Sequence, residues 1–284
     1  MTMNATVRAR RGKGLAASPR QMILLAPSAS ATPGIFSEVR VCPSRFQDLM
    51  AEMQTLRGRI YLDEGAIAPD ELIDGRHQMA LDEGSWHLLV LDRDDRVCGC
   101  ARYREYSNQT SFWDLAVSGS ALAQSPAWGE RLKAVIEEEM ALAHRLNVPY
   151  VELGGWALTE EIRATAEALR MALASYGLAR GLGGGVGLST VTRRNCSSTI
   201  LRRMGGRSLE HRGAELPAYY DPQFRCEMEV LRFYSWAPNP RYNLWIDGVA
   251  AELRAIPVLA NRVSGPEWQA AIRTKYSTAT LSEQ

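Results

Sequence analysis

Long apolar runs are missing from this chain: none approaches the roughly 18–20 residues that a membrane-spanning helix needs, so a protein that folds in water, without a membrane span, is expected. Net charge is nearly missing as well. The 33 Lys and Arg against 32 Asp and Glu leave +1, without the global basic field that marks many nucleic-acid binders, and nucleic acid is not an expected partner. Cysteine is sparse, and the five present, Cys42, Cys98, Cys100, Cys196 and Cys226, are odd in number and scattered. That pattern argues against a secreted disulfide framework and for a reducing, cytoplasmic compartment. The four histidines, His77, His87, His144 and His211, are dispersed, and no second Cys or His pair complements Cys98 and Cys100, so no metal is expected.

Other absences narrow the chemistry. No internal repeat is visible. The glycine-rich stretch from Gly181 to Gly187 follows a helical pattern rather than a strand and lacks G-x-G-x-x-G spacing, which excludes a dinucleotide loop. Gly187-Leu188-Ser189 lacks the final glycine of a nucleophile elbow. Acidic residues are absent from residues 1–37, which carry Arg8, Arg10, Arg11, Lys13 and Arg20. The apolar run Met22–Ala26 ends at Pro27, short of a secretory core of roughly 7–15 residues, so this segment reads as a disordered basic arm.

What is present describes a globular α/β chain: 284 residues, 46% hydrophobic and 23% charged. Glu38–Val41 alternates at period two, as a first strand does. Ser44 with Gln47 reads as a capping box for a helix whose stripe runs Phe46, Leu49, Met50, Met53, Leu56 and Ile60. Trp86–Leu91 and Val97–Tyr103 flank a polar turn, giving a hairpin. Leu132, Val135, Ile136, Met140, Ala143 and Leu146 predict a second helix that stops before Pro149. Tyr150–Leu158 is a strand interrupted by Gly154-Gly155, where a bulge is expected. A helix carrying Ile162, Ala166, Leu169, Leu173 and Tyr176 follows, then a strand from Val186 to Thr192, a short helix capped by Asn195, and an alternating strand from Phe224 to Val230. A single folded body is thus expected from about Glu38 to about Ile256, its α/β domain over 38–236 and a C-terminal helical extension and tail over 237–284, with a helix from about Asn243 to Ile256.

This order, with Glu152-Leu153-Gly154-Gly155-Trp156-Ala157-Leu158, the segment Arg163-Ala164-Thr165-Ala166 and a strand closing on Asn195, resembles the GNAT acyl-CoA N-acyltransferases. The resemblance implies a mixed, mostly antiparallel sheet with splayed central strands, flanked by helices. It also implies a pantetheine arm lying in the splay, so that acyl-CoA or acyl-phosphopantetheine on an acyl-carrier protein is the donor, and Gly154, Gly155, Trp156, Arg163, Ala164, Ala166, Arg193, Arg194 and Asn195 face that carrier. In the phosphate loop, Glu161 takes the place of the usual basic residue and Ala164 that of the first glycine. A narrower resemblance is to the acyl-homoserine-lactone and N-acyl amino acid synthases. Arg57 and Tyr61 resemble their Arg-x-x-x-Phe pair and Arg102 their third-strand arginine, which implies substrate-binding roles for all three.

Transfer to an amine needs an acceptor for the ammonium proton, and Glu152, beside Tyr150, Leu153 and Trp156, is the candidate base; an edge carboxylate paired with an arginine is the structural alternative. Tyr220, next to Tyr219, is a candidate acid, or part of an aromatic-packed turn. Arg193, Arg194, Arg202, Arg203 and Arg207 form a basic cluster suited to a phosphate or an acidic carrier protein, or else a solvated helix face. Two functions follow as expectations: acyl transfer to an amine such as an amino acid, or a catalytically inactive module that binds an acyl carrier or a protein partner.

Overall fold

The computed structural model describes residues 20–28, 32–194 and 197–262. Along them run β1 (Gln21–Leu25), β2 (Val39–Val41), α1 (Pro43–Asp63), β3 (Trp86–Leu91), β4 (Val97–Tyr106), α2 (Gly129–Arg145), β5 (Tyr150–Leu158), α3 (Glu160–Arg163) and α4 (Ala166–Gly181). These are followed by β6 (Val186–Thr192), α5 (Ser197–Met204), β7 (Arg207–Ser208), β8 (Glu210–His211), β9 (Ala214–Glu215), β10 (Tyr219–Asp221), β11 (Cys226–Tyr234), α6 (Asn243–Leu253) and β12 (Val258–Ala260). Ten strands form one sheet, in the order β10-β11-β6-β5-β4-β3-β1-β12-β2 with β7 also on β11. Among the described residues only β1–β12, β12–β2 and β5–β6 pair in parallel.

Period-two alternation sends neighbouring side chains of a strand to opposite faces. Along β4, Tyr103 packs into the core that α4 and α6 complete, while Cys100 and Tyr106 face α1 and α2. Both faces are therefore covered, which is why β3 is buried at every position and is apolar in sequence except at His87.

Four expectations need correction. Met22–Leu25, assigned to a basic arm, form β1 inside the sheet, paired with β3 on one edge and β12 on the other. An apolar run as short as Met22–Ala26 is too short for a secretory core but enough for a buried strand. The helix expected after residue 236 is α6, which lays Ile246, Val249 and Leu253 into the main core, but the chain beyond it, expected as tail, forms β12 and joins the same sheet. The Ser44 capping box does not form; Cys42 occupies the cap position and Pro43 the first turn, where the missing N–H costs nothing. The helix after β5 is broken into α3 and α4, because Thr165 turns extended and its hydroxyl caps α4 by accepting from the Glu167 N–H at 3.2 Å.

Candidate functional site

β5 and β6 run side by side only from Tyr150 paired with Val186 to Leu153 paired with Ser189. Beyond that point each keeps its outer partner and loses the inner one: β5 stays on β4 as far as Leu158, and β6 stays on β11 as far as Thr192. The cause is local. The β4–β5 register slips between Cys100 and Arg102, and Gly155 sits at φ +62°, a conformation that a side chain would strain. A Cβ there would also lie 3.2 Å from that of Arg102. The strands therefore part, and a cavity of about 350 Å³ fills the opening. Its walls come from both faces of the sheet, Ala168, Val191 and Leu201 on the α4 side and Tyr61, His77, Arg102 and Glu152 on the α1 side.

Glu152 is 3% exposed and lines this cavity. Its carboxylate accepts from the backbone N–H of Ala116 at 2.8 Å and of Val117 at 2.9 Å, and from the Tyr106 hydroxyl. A carboxylate offers about four lone-pair positions, so one is left. Burial and then the Glu152 charge raise the Tyr106 pKa, which keeps that hydroxyl a donor. Both N–H donors come from one 3-10 turn, Ala116–Gly119, which closes one side of the cavity.

Two buried arginines stand opposite, and they differ. Arg57 is fully buried and forked onto Asp82, Nη1 to Oδ1 at 2.9 Å and Nη2 to Oδ2 at 2.7 Å, and it also donates to the His77 carbonyl. Its charge is matched and it does not line the cavity. Arg102, 6% exposed, does line it, yet forms no ion pair among the described residues; Nη1 reaches only the Met79 sulfur at 3.1 Å and Nε has no partner. Burial, then the Arg57 charge, pull the Arg102 pKa below its ordinary value, against the opposing pull of Asp82, Tyr61 and Glu152. The same two causes lower His77, whose ring lies 5.5 Å from that of Tyr61. The Tyr61 hydroxyl is pushed up to about 12 by burial. The site thus holds an unmatched cation, a carboxylate with one free acceptor position and a histidine biased toward its neutral form.

No protein-family profile and no curated protein matches the chain. Solved structures do. The CoA-dependent acyl-homoserine lactone synthase BjaI, solved with SAM and isopentyl-CoA, superposes at a TM-score of 0.50 with 14% identity, over 90% of this chain and 99% of the other. The fold is that of the GNAT acyltransferases. FeeM, an N-acyl amino acid synthase from uncultured soil microbes, matches over 69% of this chain and 88% of its own at 12% identity and TM-score 0.43. Arylalkylamine N-acetyltransferase 2 from Aedes aegypti does so over 69% and 97% at 13% and 0.41. At those scores the last two carry no further weight.

Within this GNAT fold, seven residues singled out from sequence meet at the one cavity: Tyr61, Arg102, Glu152, Gly154, Gly155, Trp156 and Arg163. The Trp156 Nε1 is buried there without a partner. Others do not meet it. Arg57 is held by Asp82 behind the wall; Ala164 and Ala166 flank the break before α4 without lining the cavity; Asn195 lies outside the described residues. Arg193 pairs with Glu227 at 3.2 Å, and Arg194 donates to the carbonyls of Glu64 and Arg225. Tyr220 is 61% exposed and points away, because alternation in β10 leaves Tyr219, not Tyr220, against the core. Arg193, Arg202, Arg203 and Arg207 are all exposed, but Arg193 is paired with Glu227 and Arg202 with Glu229, which leaves Arg203 and Arg207 as the exposed members without an ion pair among the described residues. Sequence reasoning missed His77, Met79 and the segment Ala116–Ser120. They lie in irregular chain between β3, β4 and their helices, where no periodicity marks a side chain as inward.

Proposed function

We propose that this protein is an N-acyltransferase that takes an acyl group from a phosphopantetheine thioester, on CoA or an acyl-carrier protein, and passes it to the amine of a small molecule that also carries a carboxylate, such as an amino acid. The observation that carries the reading is the cavity at the β5–β6 parting, which holds Glu152 and the unmatched Arg102 together. An unpaired buried cation is costly unless an anion completes it, and a buried carboxylate with one acceptor position left suits an ammonium. A zwitterion supplies both. The donor arm fits the opening because strand edges without partners offer N–H and C=O groups to an amide-containing chain.

In this reading Glu152 takes a proton from the ammonium, and the freed amine attacks the thioester carbonyl. The C–N bond forms as the carbonyl oxygen gathers charge among the backbone N–H groups of the bulge. The C–S bond then breaks and the nitrogen, which still carries two hydrogens, gives up a second proton; one of the two protons released goes to the thiolate, through Glu152 or water, and the other leaves to solvent. Arg163, bridged to Glu64 at 2.7 Å at the cavity mouth, is the residue positioned for the donor's phosphate. The test is thiol release from acyl-CoA in the presence of amines with and without a carboxylate, with native mass spectrometry for co-purified CoA or carrier. Release with neither class of amine would sink the assignment.

One observation favours the module without catalysis: Glu160 and Glu161 open α3 where a phosphate would approach, and Arg163 is already paired. Carrier binding without transfer from any thioester would support it.

A further inference from the structure

β2 stands at one end of the sheet, and among the described residues nothing pairs with its outer edge. Its inner edge is spent on β12: the Glu38 carbonyl accepts from the Val258 N–H at 2.8 Å, and the Cys42 N–H donates to the Ala260 carbonyl at 3.2 Å. Bonding alternates along a parallel strand, so the N–H and C=O groups of Val39 and Val41 face outward. Their side chains follow those of their register partners Val258 and Ala260 onto the α6 face, where both partners are core residues, yet Val39 is 42% and Val41 47% exposed. On the opposite face Glu38 and Arg40 form an exposed ion pair.

We propose that a second copy of this chain completes the edge, β2 pairing antiparallel with the same strand of its partner about a twofold axis through Val39. The charges select both the occupant and the register. An axis at Val39 sets Glu38 opposite Arg40 of the partner subunit and Arg40 opposite the partner's Glu38, so the strand is its own complement. An axis at Arg40 would set Arg40 against the partner's Arg40, like charges face to face. One at Val41 would bring Val39 opposite the partner's Pro43, which has no N–H to give. With the axis at Val39, each Val39 N–H donates to the other's carbonyl. Each Val41 N–H reaches the carbonyl of the partner's Ser37; the Ser37 N–H is already given to Arg254 at 2.8 Å.

The other end of the sheet does not offer this pairing. β10 is bracketed by Pro217 and Pro222, whose missing N–H groups deny an added strand its ladder. The parting of β5 from β6 lies five strand spacings from β2, about 24 Å at about 4.8 Å each, so pairing at β2 does not reach the cavity and the inference does not rest on the acyltransferase reading. A strand this short buries less than the standard interface of about 1,600 Å², and a dimer that dissociates in the micromolar range is expected.

The experiment follows the full-length chain by sedimentation velocity from low micromolar to sub-millimolar concentration. The wild type should pass from monomer to dimer, and residue-resolved amide exchange at Val39 should slow as it does so. Glu38→Arg and Arg40→Glu each set like charges opposite one another at two symmetric places, and each should weaken the dimer roughly tenfold or more. Mixed in equal amounts, the two variants should associate with each other, because every facing pair is again of opposite sign. The double variant Glu38→Arg/Arg40→Glu should recover the wild-type constant. A wild type that stays monomeric throughout overturns the proposal; Val39 exchange protected at every concentration would then mean that another part of this chain covers the edge. A dimer whose strength ignores both charge reversals also overturns it, since the contact would lie on another face. Wild-type sedimentation and exchange decide the question even where a reversal disturbs the fold.

Discussion

Arg57 and Arg102 are both buried guanidiniums, 0% and 6% exposed, and stability measurements should separate them in opposite directions. Removing one partner of a buried ion pair leaves an uncompensated charge and costs about 3–5 kcal/mol. Asp82→Ala should fall at the upper end of that range, since Asp82 also accepts from Gln54 at 3.1 Å and from the Met79 N–H at 3.1 Å. Arg102 is already without a counter-ion. Arg102→Met keeps an unbranched side chain beside the Met79 sulfur and deletes the stranded charge; Glu152, with its own three donors, does not depend on it. The free protein should gain about 1–2 kcal/mol, within the range by which hydrophobic replacements of buried ions stabilise. For a chain of this size that is about 2–8 °C in Tm. Urea unfolding at constant m-value measures both variants. Alongside it, transfer to an amine bearing a carboxylate should fall at least roughly 30-fold, the effect of losing a buried charge partner, while transfer to an amine without one should change little. An Arg102→Met protein destabilised as severely as Asp82→Ala would refute the reasoning, because it would mean that Arg102 supports the fold rather than awaiting an anion.

Glu152→Gln should slow transfer by roughly 10²–10⁴-fold with carrier affinity nearly unchanged; a wild-type rate across pH 6–9 would remove Glu152 from the mechanism. His87, 1% exposed, is lowered to about 4 by burial, with its Nε2 at 2.8 Å from the Asp82 carbonyl oxygen. Between that value and the usual 6.5 the unfolded chain binds more protons, so stability should be full above about pH 6.5 and fall toward pH 4, by at most about 3 kcal/mol. His77, also lowered, acts in the same sense. Denaturation midpoints across this window check it, and a His87→Gln protein with the same acid limb would show that the loss comes from elsewhere. Arg203→Ala with Arg207→Ala should weaken carrier binding by about 1 kcal/mol or less per residue at low salt and not at all at 1 M, where the Debye length is about 3 Å. Equal affinities at low salt would leave both as solvated surface.

The central architecture was legible because its elements announce themselves locally. The α2 stripe, the alternation of β11 and the doubled glycine in β5 each reflect a period or a conformational need that the residues alone express. β1 and β12 were not legible, for a physical reason. Each is a short apolar segment, Met22–Leu25 and Val258–Ala260, whose strand character comes from distant partners: the two meet each other across more than 200 residues, and β1 meets β3 beyond α1. Parallel pairing of such segments leaves no turn between them to read. The break between α3 and α4 was hidden in the same way: Ile162 and Ala166 keep helical spacing across it, and only the Thr165 cap reveals that the chain has stopped and restarted.

The site divides along the same line. Glu152, Gly154, Gly155 and Trp156 could be found because they sit consecutively on one strand, and a bulge there both parts the sheet and places the carboxylate. Arg57 and Arg102 were indistinguishable in sequence, since both are arginines on elements that pack against that strand. What separates them is Asp82, which sits in irregular chain with no pattern to assign it to either, and which takes Arg57. The function proposed for this cavity depends on that choice of partner. Had Asp82 paired with Arg102 instead, the cavity would hold a matched ion pair and a lone carboxylate, a site for a simple amine; with Arg57 taken, the remaining cation asks for an anion on the same molecule that brings the amine to Glu152.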